Sequence, residues 1–461
     1  MLHAPFQSAA IRPPTVAVIG GGFSGLLTAI HLLHGDPSVV VRLVERAPRF
    51  GRGRAFGVSQ ADHLLNVRAA NMSAFADRPG HFVEWLQSHD ETAGPDAFVS
   101  RARYGDYLQM LLRDEIVSSG IAGRLLLEAD EAVALRRGEG GWQVELALGR
   151  AFSADACVLA VGLLPPAPLP GADPSVAAAP NYVAEPWRME PQTAPAGHVL
   201  LLGSGLTMVD TALSLAGAGR RLLAVSRHGL ISRGHGVVRP AMAPDRAFTT
   251  PIQALRTLRR HADAVGWREA VDSIRSMTAD IWRNWPAAER RRFLRHARPW
   301  WEVHRHRMAP QVAARVAGLV ANSELTVAAG KLEHLSWDGQ AFQARIRGRG
   351  EAKPHDWRFD LVVNCTGPRG DPETAASGLL AELRRRRAIR RDPLGLGLDV
   401  TEHLQAIGAD GRPTPGLFAV GPMTRAAVWE ALAVPDLRVQ TAQAAGAVLS
   451  SLAAARAGVA G

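Results

Sequence analysis

Apolar and polar positions follow two rhythms along this chain, and the switches between them outline a fold. Val16-Ala17-Val18-Ile19 is a short unbroken apolar run, the mark of a strand buried on both faces of a parallel sheet. After a turn, Phe23, Leu26, Leu27, Ile30 and Leu33 recur at helical spacing until Gly35-Asp36-Pro37 stops the helix. A second strand runs from Ser38 to Val44. The same order returns as Val199-Leu200-Leu201-Leu202, a helical stripe of Leu206, Val209, Leu213 and Ala216, and a strand from Leu222 to Val225. Behind each start come short alternating strands: Glu131 to Arg137 and Trp142 to Leu148, then Leu325 to Trp337 and Phe342 to Arg347. Each copy closes on an acid, an apolar strand and a glycine, Asp155 through Gly162 and Asp360 through Gly367. The pattern predicts an α/β chain with two Rossmann-like dinucleotide-binding domains.

The turns carry the chemistry. In Gly20-Gly21-Gly22-Phe23-Ser24-Gly25, Gly20 allows the tight bend, Gly22 lets backbone approach a pyrophosphate, and Gly25 lets the helix pack on the strand. The helix start offers free N–H groups and the positive end of its dipole to phosphates. Glu45, twenty residues after Gly25, stands where a carboxylate accepts hydrogen bonds from a ribose. The second turn, Gly203-Ser204-Gly205-Leu206-Thr207-Met208, has no third glycine, which predicts looser helix–strand packing. Its second strand ends in Ser226-Arg227-His228 rather than an acid. An arginine there pairs with a 2′-phosphate, which a carboxylate would repel. The first site is therefore read as FAD and the second as NADPH. Two nucleotides in one chain is the layout of an enzyme that passes hydride from nicotinamide to flavin.

Composition narrows the rest. A chain of 461 residues, 47% hydrophobic and 21% charged, suits two or three globular domains. The formal charge of +10 is almost wholly arginine, since Lys331 and Lys353 are the only lysines, so a lysine Schiff base is not expected. Arginines suit phosphate and carboxylate ligands. They are scattered and no nucleic-acid motif accompanies them, so no nucleic-acid partner is expected. Cys157 and Cys365 are far apart, with no C-x-x-C, which argues against a dithiol centre and a cysteine-held metal. Met1 to Pro14 has no signal-peptide core and no apolar run reaches membrane-spanning length, so a cytoplasmic protein without a membrane partner is expected. Oligomeric state stays open.

From about Pro240 to Pro310 the chain fits neither copy and reads as a helical insertion rich in Trp and Arg, most of whose tryptophans pack helix against helix. His304-Arg305-His306-Arg307 lies near His296 and Glu302 without a paired histidine at usual ligand spacing, and reads as an anion-binding cluster rather than a metal site.

Several stretches, with both glycine turns, resemble a known family: His63-Leu64-Leu65-Asn66-Val67 running to Asn71-Met72-Ser73-Ala74-Phe75, Arg103-Tyr104-Gly105-Asp106-Tyr107-Leu108, Gly205 to Asp210, His304-Arg305-His306-Arg307, Asn364-Cys365-Thr366-Gly367-Pro368, and Trp429-Glu430 to Gln440. Over nearly its whole length the chain is similar to the bacterial FAD/NAD(P)-binding oxidoreductases distantly related to flavin-containing and N-hydroxylating monooxygenases. Met208 is at home in that family. The resemblance implies an NAD(P) domain inserted into the FAD domain: 12–190 and 367–461 for FAD, and 191–366 for NAD(P), with the helical insertion at about 240–312. It brings Leu64-Leu65-Asn66 beside the flavin ring, where Asn66 would bond flavin N5 or the nicotinamide amide; the alternative is an asparagine that caps a turn. The expected cofactor contacts are Gly20, Gly22, Phe23, Ser24, Gly25, Glu45, Arg46, Arg54, Leu65, Asn66, Met72, Val133, Gly162, Gly421, Asp436 and Leu437 for FAD. For NADPH they are Gly203, Ser204, Gly205, Leu206, Thr207 and Arg227. Gly421-Pro422 replaces the Gly-Asp common in flavoproteins, so the ribityl contact must come from backbone or elsewhere. Pro435-Asp436 opens a helix whose N-terminus would face the flavin pyrimidine ring.

The leading expectation is an FAD-dependent, NADPH-consuming monooxygenase that uses molecular oxygen on the nitrogen or sulfur of a small amine or amino-acid-like substrate. Asn66 is its candidate catalytic residue. Two rivals remain: an NAD(P)H:acceptor reductase that inserts no oxygen, and a non-catalytic FAD-bound sensor or scaffold.

Overall fold

The computed structural model describes residues 12–57, 63–89, 92–120, 122–138, 140–237, 239–245, 248–375 and 378–459. Two sheets organise it. The first is Thr15–Ile19, Val40–Val44, Leu125–Glu128, Ala156–Leu159 and Pro413–Ala419, all parallel, with Gln405–Ile407 antiparallel at one edge. Thr15–Ile19 lies in the middle, flanked by Val40–Val44 and Ala156–Leu159, and four of its five residues are buried. The apolar run is thus the interior strand of a sheet covered on both faces, as its lack of alternation implies. A separate three-stranded antiparallel sheet, Ala132–Gly138, Gly141–Leu146 and Ala151–Ala154, stands beside it.

The second sheet has seven strands. Gly197–Leu202 lies between Arg220–Ser226 and Leu361–Asn364, all parallel, and Tyr182–Val183 pairs at the edge. Here the antiparallel unit is fused to the Rossmann sheet. Strand Leu325–Trp337 runs parallel to Arg220–Ser226 as far as Ala329, then pairs antiparallel with Phe342–Gly348 from Gly330 onward. The chain is therefore an α/β protein with two dinucleotide-binding domains. Strands of the first sheet come from both ends of the sequence and those of the second from between them.

The predicted helical insertion interrupts the crossover from Arg220–Ser226 to Leu325–Trp337. Pro251–Val265, Trp267–Ser273, Thr278–Asn284, Ala287–His296 and Arg298–Arg305 form it. The next helix, Pro310–Ala321, packs its Val312 and Val316 into the second Rossmann core with Met208, Val209 and Leu213, and so belongs to that domain. The tryptophans dock the insertion on the first domain. Trp282 stacks on Trp429, 4.5 Å between ring centres, and donates its Nε1–H to the Ala426 carbonyl at 2.7 Å. Trp285 donates to the Phe248 carbonyl at 2.7 Å. These two buried indoles thus find acceptors, as a buried N–H requires.

Candidate active site

The two glycine turns have almost the same backbone. Gly20 has φ +108° and Gly203 φ +116°. The helix-capping residues Gly22 and Gly205 sit at φ −75°, ψ −165° and φ −81°, ψ −168°, and no side chain caps either helix. Each turn therefore leaves N–H groups at a helix start for an outside acceptor. A Cβ on Gly20 would strike the Ala160 carbonyl, and one on Gly203 the Cys365 carbonyl. Both turns lie at the carboxyl ends of parallel strands, where open α/β sheets bind ligands.

Around the first turn the predicted residues divide by role. Glu45 accepts the Gly21 N–H at 2.8 Å and the Ala47 N–H at 3.0 Å, which holds its carboxylate against the loop with lone pairs to spare. Arg46 beside it is exposed. The Phe23 ring is buried against Phe56 and Tyr104, and Ser24 is buried, so these two offer backbone N–H rather than side chains. The Gly51 N–H donates to the Gly21 carbonyl at 2.6 Å, and a Cβ on Gly22 would stand 3.4 Å from the Gly53 Cα. This closes the loop of Arg52, Gly53 and Arg54 over the turn. Gly421 (φ +89°) comes to the other side, where a Cβ would meet Ser24 Oγ at 2.9 Å. Gln440 accepts the Gly421 N–H at 2.7 Å and donates to Thr424 Oγ1 at 2.7 Å, both buried. No local pattern marks a glutamine from the last helix as the latch of this loop. Met72 and Leu65 are buried in the same core. Gly162 faces open space. Val133 is the unpaired residue of a β-bulge between Ala132 and Ala134 and is 37% exposed, so its backbone is free of the ladder.

These residues fit an FAD. The cradle leaves no room for a side chain at Gly20 or Gly53. A buried Arg54 Nη1–H has no hydrogen-bond acceptor although Glu185 lies 3.5 Å away. Desolvation lowers the Arg54 pKa, and Arg46 and Arg188 add to it, so an anionic phosphate would satisfy this group.

Asn66 lies where the domains meet. Leu64, Leu65 and Asn66 line a narrow cleft with Leu206 and Val209 of the second turn's helix and with Met308, Ala309 and Val312. Arg101 and Asp210 bridge the domains across it at 3.1 Å. His235 donates its Nε2–H to the Asn66 carbonyl at 3.0 Å, and Arg68 donates Nη2–H to the Gly236 carbonyl at 2.7 Å. His235 is held in turn by Met308, whose carbonyl accepts its N–H at 2.9 Å, and by Phe98, 5.0 Å between rings. Burial pushes the His235 pKa down to about 4, with Arg307 and Arg68 adding to it, so the ring stays neutral. His235 is another residue that no spacing rule would single out.

Helix Val434–Val459 has Pro435 and Asp436 in its first turn, and Leu437 is buried. Asp436 Oδ2 lies 3.8 Å from Arg275 Nη2 of the insertion. Burial raises the Asp436 pKa and Arg275 opposes this. The expected anion-binding run at 304–307 reads differently in three dimensions. Arg305 pairs with Glu430 at 3.2 Å and Arg307 with Asp272 at 2.8 Å. His306 is half-buried, with desolvation pushing its pKa down to about 4, and His304 donates Nδ1–H to the Trp300 carbonyl. Both arginines already have acidic partners, so the run ties the insertion to the first domain through Glu430 and to itself through Asp272. Among the described residues no group of three or more His, Cys, Asp or Glu side chains could hold a metal, and no helix is long and apolar enough to cross a membrane.

At the second turn Ser204 Oγ lies 2.7 Å from Ser226 Oγ and 2.6 Å from the Leu230 carbonyl, which ties the loop to the strand end. Leu206 and Thr207 open the helix, and the Arg227 side chain is exposed.

Residues 17–164 match the model of an FAD-NAD(P)-binding family, and this part of the chain is such a domain. The chain is 29% identical over 275 residues to an L-aspartate N-monooxygenase (nitrosuccinate-forming) of Streptomyces davaonensis. The match covers 49% of this chain and only 41% of that relative. Among solved structures, L-lysine 6-monooxygenase from Pseudomonas syringae superposes with a TM-score of 0.65 at 16% identity, over 95% of this chain and 100% of that one. An ornithine N-hydroxylase from Kutzneria sp. 744, with reduced FAD, NADP+ and L-ornithine, gives 0.59 at 17% identity, over 96% and 99%. The chain is thus similar to an N-monooxygenase over about half its length and shares the fold of these N-hydroxylating enzymes.

Proposed function

We propose that this chain is an FAD- and NADPH-dependent monooxygenase that oxygenates the nitrogen, or a sulfur, of a small amine or amino-acid-like substrate. The observation that carries this reading is the pair of glycine turns of near-identical geometry, one in each domain, with Asn66 in the cleft between the first domain and the second turn's helix. The N-monooxygenase relatives support the choice of reaction. Bound FAD supplies the two-electron carrier and the centre that activates oxygen.

The chain's own part is binding, orientation and exclusion of water. The turn at Gly20–Gly25 and Arg54 hold the FAD pyrophosphate, and the Gln440-latched Gly421 loop closes on it. The turn at Gly203 with Arg227 holds NADPH. Asn66, with an NH2 that donates and a carbonyl that accepts on its carboxamide, orients the nicotinamide amide or the flavin edge. Leu64, Leu65, Met308 and Val312 keep water from the reacting atoms. Action in the cytoplasm, where NADPH is supplied, belongs to the same proposal.

The test is a panel of amino acids and amines, with L-aspartate, L-lysine and L-ornithine among them, given to the FAD-loaded protein with NADPH in air. One member should speed NADPH oxidation and yield an N- or S-oxygenated product by mass spectrometry. NADPH oxidation that responds only to a quinone or other electron acceptor, with no oxygenated product, would establish the reductase reading instead. Tight FAD with no NADPH oxidation would leave a sensor or scaffold.

A further inference from the structure

Three side chains converge at the end of strand Arg220–Ser226, one of them from a distant hairpin. Ser226 is in register with Ala329 on the neighbouring strand. The Arg349 N–H donates to the Ala329 carbonyl at 2.8 Å, so the hairpin that returns from Phe342–Gly348 delivers Arg349 one strand away from Arg227. Arg349 Nη1–H reaches His228 Nδ1 at 3.4 Å. A Cβ on Gly229 would stand 2.8 Å from the Ala329 N, so the 227–229 loop presses directly on this strand. The two guanidiniums lower the His228 pKa together, after desolvation, and no carboxylate contributes. Among the described residues neither Arg227 nor Arg349 has a carboxylate partner, unlike Arg305 or Arg307. Because His228 Nδ1 accepts from Arg349, its Nε2–H is left as an outward donor.

We propose that Arg349 and His228 join Arg227 in reading the 2′-phosphate of NADPH, with Arg349 the second guanidinium of the site. This rests on the NADPH reading given above. Two forks and a neutral imidazole donor suit a dianionic monoester, which can take several charge-assisted hydrogen bonds at once. A 2′-hydroxyl offers no such charge, so the same residues leave NADH weakly held. Sequence spacing cannot find Arg349, since it lies 122 residues after Arg227 and reaches the strand end only through the hairpin.

The experiment is calorimetric titration of the FAD-loaded protein with 2′,5′-ADP and, separately, with 5′-AMP, which need no turnover. Arg349→Ala should weaken 2′,5′-ADP by about ten- to a hundredfold, the range for a lost hydrogen bond to a charged group, and leave 5′-AMP unchanged. Arg349→Lys should recover part of the loss, since charge returns without the fork. His228→Ala should cost about three- to tenfold. Unchanged 2′,5′-ADP affinity in Arg349→Ala, beside a clear preference for 2′,5′-ADP in the parent protein, overturns the role of Arg349 alone. No preference for 2′,5′-ADP in the parent overturns the NADPH reading and this inference with it.

Discussion

The two dinucleotide turns share a backbone and differ at the third glycine position. In the first, a Cβ on Gly25 would fall inside the Gly20 carbonyl, and Ser24 is buried against Gly421. In the second, Met208 occupies the same place in the turn and its side chain is fully buried in the core with Val209, Val312 and Val316. The first helix therefore needs close contact with its strand, while the second is built around a large side chain at that point. The loops beyond differ likewise. The first turn is closed in by segments 51–53 and 421–424, whereas the second ends in the exposed Arg227. The contrast suits a flavin that stays bound and a nicotinamide nucleotide that exchanges each cycle.

The largest expected effect breaks this contrast directly. Gly25→Ala should abolish FAD binding, read as loss of flavin absorbance in the purified protein, because nothing near the Gly20 carbonyl can yield. Met208→Ala should keep the flavin and lose about 3 kcal/mol of stability in denaturant unfolding, the usual cost of truncating a buried side chain. If Met208→Ala instead loses FAD while Gly25→Ala keeps it, the comparison is reversed. A smaller effect sharpens the second site. Arg227→Ala should raise the KM for NADPH about tenfold and leave that for NADH within about twofold, since a charge-assisted contact is lost only with the 2′-phosphate present. Equal changes for both coenzymes would remove Arg227 from phosphate recognition.

Much of this architecture is legible in the chain because local rules write it. Buried parallel strands must be unbroken apolar runs, and glycine turns must carry glycine where a Cβ collides. What the sequence hid depends on tertiary contact. Gln440 latches Gly421 from a helix nineteen residues on, and His235 reaches Asn66 across the domain junction at a separation of 169 residues. Arg305 and Arg307 looked like ligand-binding arginines because their partners, Glu430 and Asp272, lie far away in sequence.

Between the two domains, His235→Ala should lower the yield of oxygenated product per NADPH a few-fold at nearly constant KM for NADPH, because the Asn66 carbonyl loses one hydrogen bond, worth about 1 kcal/mol. His235→Gln should restore most of that yield, and an unaltered yield in both variants would show that the bond does not position Asn66. A separate effect is on pH. His235 and His306 stay neutral down to about pH 4 when folded and take a proton near 6.5 when unfolded. The unfolded chain thus binds more protons between these values, so stability should fall as pH drops from about 6.5 toward 4. His306→Asn should flatten that slope in thermal unfolding, and an unchanged slope would place the acid sensitivity elsewhere.

On the proposed function, electrons from NADPH end in an oxygenated substrate. Turnover under labelled molecular oxygen, with the substrate found in the panel, tests it most directly. One labelled oxygen atom in the product, with NADPH consumed in proportion, is the predicted result. Label recovered only in hydrogen peroxide or water, while the substrate returns unchanged, would contradict it.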